Sequence, residues 1–154
     1  MRSFYTTLLF MLSIVVWGQE KVYLFRNLDK QEGLSNNSIK CFLRDHNGFL
    51  WIGTNEGLNR YDGYSLKAFK NDPTDSTTII DNAVTFIFED HQHKLWVQAG
   101  DYLDIFDPTA ETFSHAQTLF NGQIAIPMVS KSHCTYDLAG NIWYGNSSLG
   151  LYKY

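Results

Sequence analysis

One nine-residue pattern occurs three times in this chain and constrains its fold more than any other feature. Each copy begins with Asp and has Trp at its seventh position, and the three Trp residues stand 45 and 47 residues apart. Self-similarity at a fixed period of about 20–50 residues is typical of solenoids, propellers and other repeat architectures. The repeat is therefore a better guide to the fold than the secondary-structure propensity of any single segment. The three copies are 45–53, 90–98 and 137–145.

Each copy carries the signals of a tight turn followed by a strand. Asp45 opens the first turn, because its side chain can accept hydrogen bonds from the backbone N–H groups that follow it. Gly48 closes that turn, because a hairpin turn needs a residue that adopts positive φ. The second copy departs from this pattern, with His93 at the glycine position and Gln98 where the other two copies end in Gly.

The residues around each copy keep the same register, and each unit reads as a meander of strands. Residues 39–43 alternate apolar and polar side chains, as a half-buried strand does. Further strands are predicted at 49–53, 58–61 and 64–69, separated by turns. The residues predicted to hold the repeats together are Asp45, Gly48, Trp51, Gly53, Gly57, Tyr61, Asp90, Trp96, Phe106, Asp137, Gly140, Trp143, Gly145, Gly150 and Tyr154.

Four antiparallel strands in about 45 residues form one blade of a β-propeller. The sequence therefore predicts an all-β fold, a partial β-propeller of about three four-stranded blades. The predicted blade units are 34–78, 79–126 and 127–154, the last one truncated, and a strand at 22–26 would complete a blade. Roughly four to eight blades are needed to close a ring. We therefore expect further blades of a longer chain, or self-association, to cover the two exposed edges.

The first 18 residues have the pattern of a secretory signal peptide. A basic residue precedes an apolar run at 8–17, and Val16 and Gly18 occupy the two positions where small residues precede a cleavage site. Cleavage is predicted between Gly18 and Gln19, which leaves 19–154 as a periplasmic or exported chain with no membrane span. The alternative, an uncleaved membrane anchor, needs about 20 apolar residues, more than this segment has.

Composition narrows the class of partner. The chain has 154 residues, of which 44% are hydrophobic and 16% are aromatic, and these values favour a globular, β-rich protein. Its formal net charge is −4, so we expect no nucleic-acid partner held by basic residues.

Two groups of residues suggest a covalent or metal site, and each has a simpler interpretation. Asp90, His91 and His93 are good metal ligands, but they occupy a blade turn, where solvated polar residues are common, so no metal site is predicted. Cys41 and Cys134 fall on opposite faces of equivalent strands two blades apart. A disulfide needs Cα atoms within about 7 Å, so none is expected.

The repeated Trp residues could stack on sugar rings, but their shared position in each unit indicates core packing. A ligand is more readily accommodated by the non-repeated loops at 71–78 and 121–126, although the sequence identifies no individual ligand-binding residue. No catalytic residue, cofactor or metal is predicted.

The motif Asp-x-x-Gly-x-Leu/Ile-Trp-x-Gly, followed by Gly-Leu-x-x-Tyr, resembles the repeat of the two-component regulator propeller family. The unit from Leu34 to Asp62 matches that pattern almost throughout, and the resemblance covers about 22–154. It implies a periplasmic seven-bladed propeller at the front of a hybrid two-component sensor histidine kinase. Such sensors detect glycan breakdown products and switch on genes for carbohydrate use. The kinase would lie downstream of Tyr154.

The function indicated is ligand sensing, in which an oligosaccharide binds and changes the conformation of the propeller without catalysis by this chain. One alternative is an exported propeller enzyme of the lyase or quinone-dependent dehydrogenase type, which would need convergent His, Arg or acidic residues, or a metal, inside its channel. The others are a structural or partner-binding propeller and an inactive truncated remnant.

Overall fold

The computed structural model describes residues 26–115, 133–146 and 150–153. In this part of the chain, eleven strands form three antiparallel sheets, and the helical content is one 3₁₀ turn, Lys30–Glu32. None of its helices has the length and apolar content that crossing a membrane requires. The predicted signal peptide, most of the predicted strand at 22–26, the loop at 121–126 and Tyr154 lie outside the described residues.

The first sheet, here called the first blade, is a meander whose four strands lie in sequence order. A tight turn at 45–48 joins its first two strands, and a register shift between Ile39 and Cys41 marks a β-bulge near its start. Its strands are β1 (Ile39–Arg44), β2 (Leu50–Thr54), β3 (Gly57–Tyr61) and β4 (Leu66–Phe69).

The second sheet, the second blade, repeats this arrangement strand for strand. The shift in register recurs at the equivalent place, between Val84 and Phe86. Its strands are β5 (Val84–Glu89), β6 (Leu95–Ala99), β7 (Tyr102–Asp107) and β8 (Thr112–His115).

The third sheet, the third blade, has three strands within the described residues, in the order β11-β10-β9. Its strands are β9 (His133–Tyr136), β10 (Ile142–Asn146) and β11 (Gly150–Lys153). The predicted all-β, propeller-type fold built of four-stranded sheets is thus confirmed, whereas the limits assigned to the blade units stay a prediction.

The main hydrophobic core lies between the first and second blades. Trp51 packs edge-on against Phe106, with 5.3 Å between ring centroids, and Phe69 packs in the same way against Phe106 at 5.0 Å. Ile79, in the segment that connects the two blades, is completely buried beside them. This burial joins the two sheets into one packed unit, since apolar contact area is the main favourable term in folding.

A smaller core lies between the second and third blades, where Trp96, Leu103 and Ile142 are buried together. Across these junctions, equivalent side chains differ in exposure according to whether a neighbouring blade covers them. Ile87 in the second blade is 7% exposed, whereas Phe42, at the same register position in the first blade, is 74% exposed. The described part of the first blade therefore leaves one apolar face uncovered.

Candidate functional site

The Asp and Trp residues of the repeat form the same hydrogen bond in all three blades. Trp51 donates its indole N–H to Oδ2 of Asp45 at 2.7 Å, and Trp96 donates to Asp90 at 2.8 Å. Trp143 donates to Asp137 at 2.9 Å. The six-residue separation of Asp and Trp thus brings a carboxylate to each indole N–H, a contact that the sequence did not predict.

The other carboxylate oxygen of each Asp closes the turn that precedes the strand. Oδ1 of Asp45 accepts the backbone N–H of Phe49 at 2.9 Å, and the carbonyl of Asp45 accepts the N–H of Gly48 at 3.0 Å. In the third blade, the donors Trp143 and Asn141 lower the pKa of Asp137 to about 2. Each Asp therefore holds its turn and its Trp side chain at the same time.

Burial of the Trp side chains falls from the first blade to the third. Trp51 is 0% exposed and Trp96 is 5% exposed, whereas Trp143 is only partly buried. The charged end of Lys153 lies over the Trp143 ring, 5.6 Å from its centroid. Among the described residues, no further sheet covers this face of the third blade, which accounts for the difference.

The fourth residue of each turn adopts a left-handed conformation. Gly48 has φ +89° and Gly140 has φ +82°, and His93 takes the same conformation with φ +62°. A residue with a Cβ atom is strained at positive φ, although His tolerates it better than most. His93 therefore stands where the repeat favours Gly.

The turns of neighbouring blades contact each other in a repeated way. The second residue of one turn, His46 or His91, lies against the fourth residue of the next blade's turn. His46 stacks on His93 with ring centroids 3.6 Å apart, and a Cβ atom on Gly140 would lie 3.1 Å from the His91 ring. The same His also contacts the residue that precedes the Asp of the next blade's turn. His46 contacts Glu89 in this way, and His91 contacts Tyr136.

These contacts bring together a set of metal-ligating residues different from the one considered in the sequence. His46, Glu89 and His93 place potential ligand atoms within 4.8 Å of one another. Asp90 instead accepts hydrogen bonds from Trp96 and from backbone N–H groups, and His91 faces the third blade. The cluster draws its residues from the turns of two successive blades. It would have been found by comparing the residues of each turn with those of the next blade's turn.

A cleft of about 450 Å³ lies between the turns of the second and third blades. Gln92, Lys94 and Asn141 supply polar groups to its walls, and Ile105 and Ile142 supply apolar surface. Pockets of roughly 300–1,000 Å³ that combine apolar walls with a few polar groups are typical small-molecule sites. The cleft therefore has a suitable size for a small ligand, although Lys94 and Asn141 already donate hydrogen bonds to Asp107 and Asp137.

The loop at 71–78, which the sequence favours for ligand contact, uses many of its polar groups in internal hydrogen bonds. Asp72 accepts the backbone N–H and hydroxyl of Thr74, and Asp75 accepts those of Thr77. These hydrogen bonds lower the pKa of both carboxyl groups. The second favoured loop, 121–126, lies outside the described residues.

A buried carboxylate in the second blade ties the connecting segment to the sheet. Asp104, which is 0% exposed, accepts the backbone N–H of Ile80 at 2.8 Å and lies 2.8 Å from Nδ1 of His115. Burial raises the pKa of Asp104, and its hydrogen-bond donors offset only part of that rise.

Gly53 lies where the first blade packs tightly against the second. A Cβ atom there would lie 2.5 Å from Sγ of Cys41 and 2.7 Å from Cγ1 of Val84. Burial raises the pKa of the Cys41 thiol to about 11, and Cys41 is a free cysteine. Of Cys134, the other cysteine, only the backbone is described.

The remaining predicted repeat residues lie in turns, strands or the core. Gly57 has φ +128° and Gly150 has φ +89° at the start of their strands. The Tyr61 hydroxyl donates to the carbonyl of Gly63 at 2.7 Å. Phe106 is fully buried. Among the described atoms around Gly145, the nearest to an added Cβ atom would be Leu151 Cδ1 at 3.6 Å.

Residues 33–56 match the family model of the two component regulator propeller. This segment contains β1, the 45–48 turn and β2 of the first blade. A curated relative named Histidine kinase P4, from Formosa agariphila, is 38% identical over 68 residues, which are 44% of this chain and 5% of the relative. The chain therefore spans only a small part of that relative's length.

Two solved structures from B. thetaiotaomicron share the fold. The extracellular domain of a protein named as a hybrid two component system aligns with a TM-score of 0.63 and 24% identity, over 86% of this chain and 20% of that one. The extracellular domain of a protein named as a one component system aligns with a TM-score of 0.53 and 19% identity, over 80% of this chain and 17% of that one. The resemblance found in the sequence is thus confirmed: residues 33–56 carry a repeat of the two component regulator propeller, within a chain of β-propeller-like fold.

Proposed function

We propose that this chain is the N-terminal periplasmic ligand-sensing segment of a hybrid two-component sensor histidine kinase/response regulator. It binds a glycan oligosaccharide and thereby controls the transcription of carbohydrate-use genes. The observation that carries this proposal is the family match over 33–56, which falls on β1, the 45–48 turn and β2 of the first blade. The names of the similar proteins, a histidine kinase and two extracellular domains of signalling systems, support the same assignment.

The proposed ligand site is the cleft between the second and third blades. A sugar ring has hydroxyl groups around its edge and apolar C–H faces, and the cleft offers both kinds of partner. Gln92 and Lys94 provide polar groups beside the apolar side chain of Ile142. A ligand in this cleft contacts two blades at once and therefore favours one arrangement of the blades over another, which is what a sensor requires.

The chain acts in this proposal by binding, and the phosphotransfer chemistry belongs to the rest of the longer sensor. Periplasmic location follows from the predicted signal peptide at 1–18 and agrees with the extracellular position of the two structurally similar domains.

The transcription of carbohydrate-use genes in the bacterium that carries this gene tests the proposal. We expect one class of glycan to induce a set of these genes, and in-frame deletion of the codons for 19–154 to abolish that induction alone. Chromosomal Ala139→Trp, which fills the cleft, should weaken the same response, whereas Asn47→Trp at the equivalent exposed position of the first blade should leave it intact. A deletion strain with an unchanged response to every glycan would refute the proposal.

A further inference from the structure

The junction between the first and second blades brings three metal-ligating side chains to one point. Nδ1 of His46 lies 2.5 Å from Oε1 of Glu89, and Nδ1 of His93 lies 3.2 Å from the same oxygen. The two imidazole rings are stacked, with 3.6 Å between centroids and 22° between planes. Two nitrogen atoms and one carboxylate oxygen therefore converge from two different blades.

The carboxylate of Glu89 is held in place by the main chain of the first blade. The backbone N–H of His46 donates to Oε2 of Glu89 at 3.0 Å, so Oε1 is left to face both imidazoles. The Glu89 side chain is only 15% exposed. Within the described part of the chain, no lysine or arginine forms an ion pair with Glu89. A backbone group that orients a carboxylate in this way is typical of the surroundings of metal ligands.

His93 is held at the cluster at a conformational cost. It adopts φ +62° at the turn position where the other two blades have Gly. Strained residues of this kind persist where the surrounding structure determines them, and they cluster at functional sites. A turn position with positive φ, which favours Gly, is thus occupied by His93, whose ring faces Glu89.

The next junction has the same geometry without the ligands. There His91 lies beside Tyr136 and Gly140, the residues equivalent to Glu89 and His93. The contact between turns therefore occurs at both described junctions, whereas His, Glu and His converge only at the first of these two.

We infer that His46, Glu89 and His93 form a binding site for one divalent transition-metal ion of the zinc type, which joins the first and second blades. Imidazole and carboxylate are suitable ligands for Zn²⁺, and three protein ligands leave a fourth position for water or another group. Tetrahedral ligands at about 2.0–2.1 Å from zinc stand roughly 3.3 Å apart. His93 already has this spacing from Glu89.

His46 must turn out of its stack on His93, because nearly parallel rings cannot both direct a nitrogen lone pair at one ion. The Nδ1 of His46 must move away from Glu89 by less than about 1 Å to reach tetrahedral spacing. The His46 side chain is 37% exposed and that of His93 is 55% exposed, so both can adjust and an ion can enter from solvent. The site therefore needs these two side chains to reorient.

Titration calorimetry and thermal unfolding of the full chain, with ZnCl₂ as the probe, test the site. We expect one Zn²⁺ to bind per chain and to raise the melting temperature, and EDTA to reverse that rise, because an ion that binds only the folded state stabilises it. Since loss of even an outer partner of a metal ligand lowers affinity about 10–100-fold, His46→Ala and Glu89→Gln should lower zinc affinity at least tenfold.

The His93→Gly variant still tests the site if another variant fails to fold. It removes a ligand and its contacts with His46 and Glu89 but relieves the positive φ, so the variant should still fold without metal yet lose the zinc-dependent rise. His91→Ala at the second junction is the matched control and should bind zinc as the wild type does. Absence of zinc binding to the folded wild type, or an unchanged zinc response in His93→Gly, would overturn the inference.

Discussion

Trp51 donates its indole N–H to Oδ2 of Asp45 across 2.7 Å, and both residues are buried. The same bond recurs in the second and third blades. It explains why the repeat needs Asp and Trp together, since the carboxylate satisfies an indole N–H that burial would otherwise leave without a partner. One residue pair thus joins the turn of each blade to its packing.

Loss of this bond should destabilise the protein most where the pair is most buried. Asp45→Ala leaves the N–H groups of Trp51 and Phe49 without their acceptor, and we expect it to lower the free energy of unfolding by about 1–3 kcal/mol. Asp137→Ala is the matched control and should have a smaller effect, because water reaches the partly buried Trp143. Urea unfolding measures both, and equal losses would contradict this explanation.

The contact between the first two blades depends on the absence of a side chain at Gly53. Gly53→Ala would place a Cβ atom 2.5 Å from Sγ of Cys41 and close to Val84. Overpacking of this kind costs about 1–3 kcal/mol, so the urea midpoint should fall. Gly145→Ala, at the equivalent position, where the nearest described atom would lie 3.6 Å from an added Cβ atom, should unfold like the wild type. A Gly53→Ala variant as stable as Gly145→Ala would show that the blades are less tightly packed.

The buried carboxyl group of Asp104 should make stability depend on pH. Because burial raises its pKa in the folded chain, the native state keeps this proton to higher pH than the unfolded chain does. Its contribution to stability is therefore complete below the ordinary Asp pKa of about 3.9 and is lost as pH rises through the raised value.

Asp104→Asn removes this titration and keeps an oxygen acceptor for the Ile80 N–H. We expect the free energy of unfolding, measured in urea at about pH 4, 5 and 6, to decline less with rising pH in the variant than in the wild type. Identical pH dependence in the two proteins would exclude Asp104 as the source.

The uncovered face of the first blade should drive self-association. Phe42 is 74% exposed and Ile39 is 49% exposed, and they border an apolar depression of about 250 Å³. At the far side of the third blade, Leu151 is 69% exposed, so the isolated chain has apolar surface at both ends. We expect it to form oligomers or to have low solubility.

Phe42→Lys should lower the mean mass in sedimentation velocity. The control is Tyr64→Lys, because Tyr64 is 88% exposed but lies in the turn before β4 rather than on the blade face. A wild-type chain that sediments as a single monomer and melts cooperatively would contradict the prediction.

The repeat made the fold accessible from sequence, because a period near 45 residues with turn signals at fixed positions allows few architectures. The positions of Asp45 and Gly48 were sufficient to predict the turn. The indole hydrogen bond to Asp45 was not predicted, because spacing along the chain does not show which way a carboxylate points.

The candidate sites depended on contacts between blades, which a single blade pattern does not contain. His46 and Glu89 stand 43 residues apart and meet only because successive blades place their turns side by side. The cleft beside Lys94 and Asn141 arises in the same way, from two turns that are unremarkable when taken singly. Such sites can be predicted from the sequence only when the residue type at each turn position is compared from one blade to the next.

The central claim, that this propeller segment senses an oligosaccharide, is tested most directly by titration calorimetry of the chain against a panel of glycan oligosaccharides. The account predicts that one class binds, that Ala139→Trp abolishes its binding by filling the cleft, and that Asn47→Trp retains it. If the folded chain binds no member of the panel, the central claim is wrong. If Ala139→Trp binds as well as the wild type, the ligand site is not this cleft.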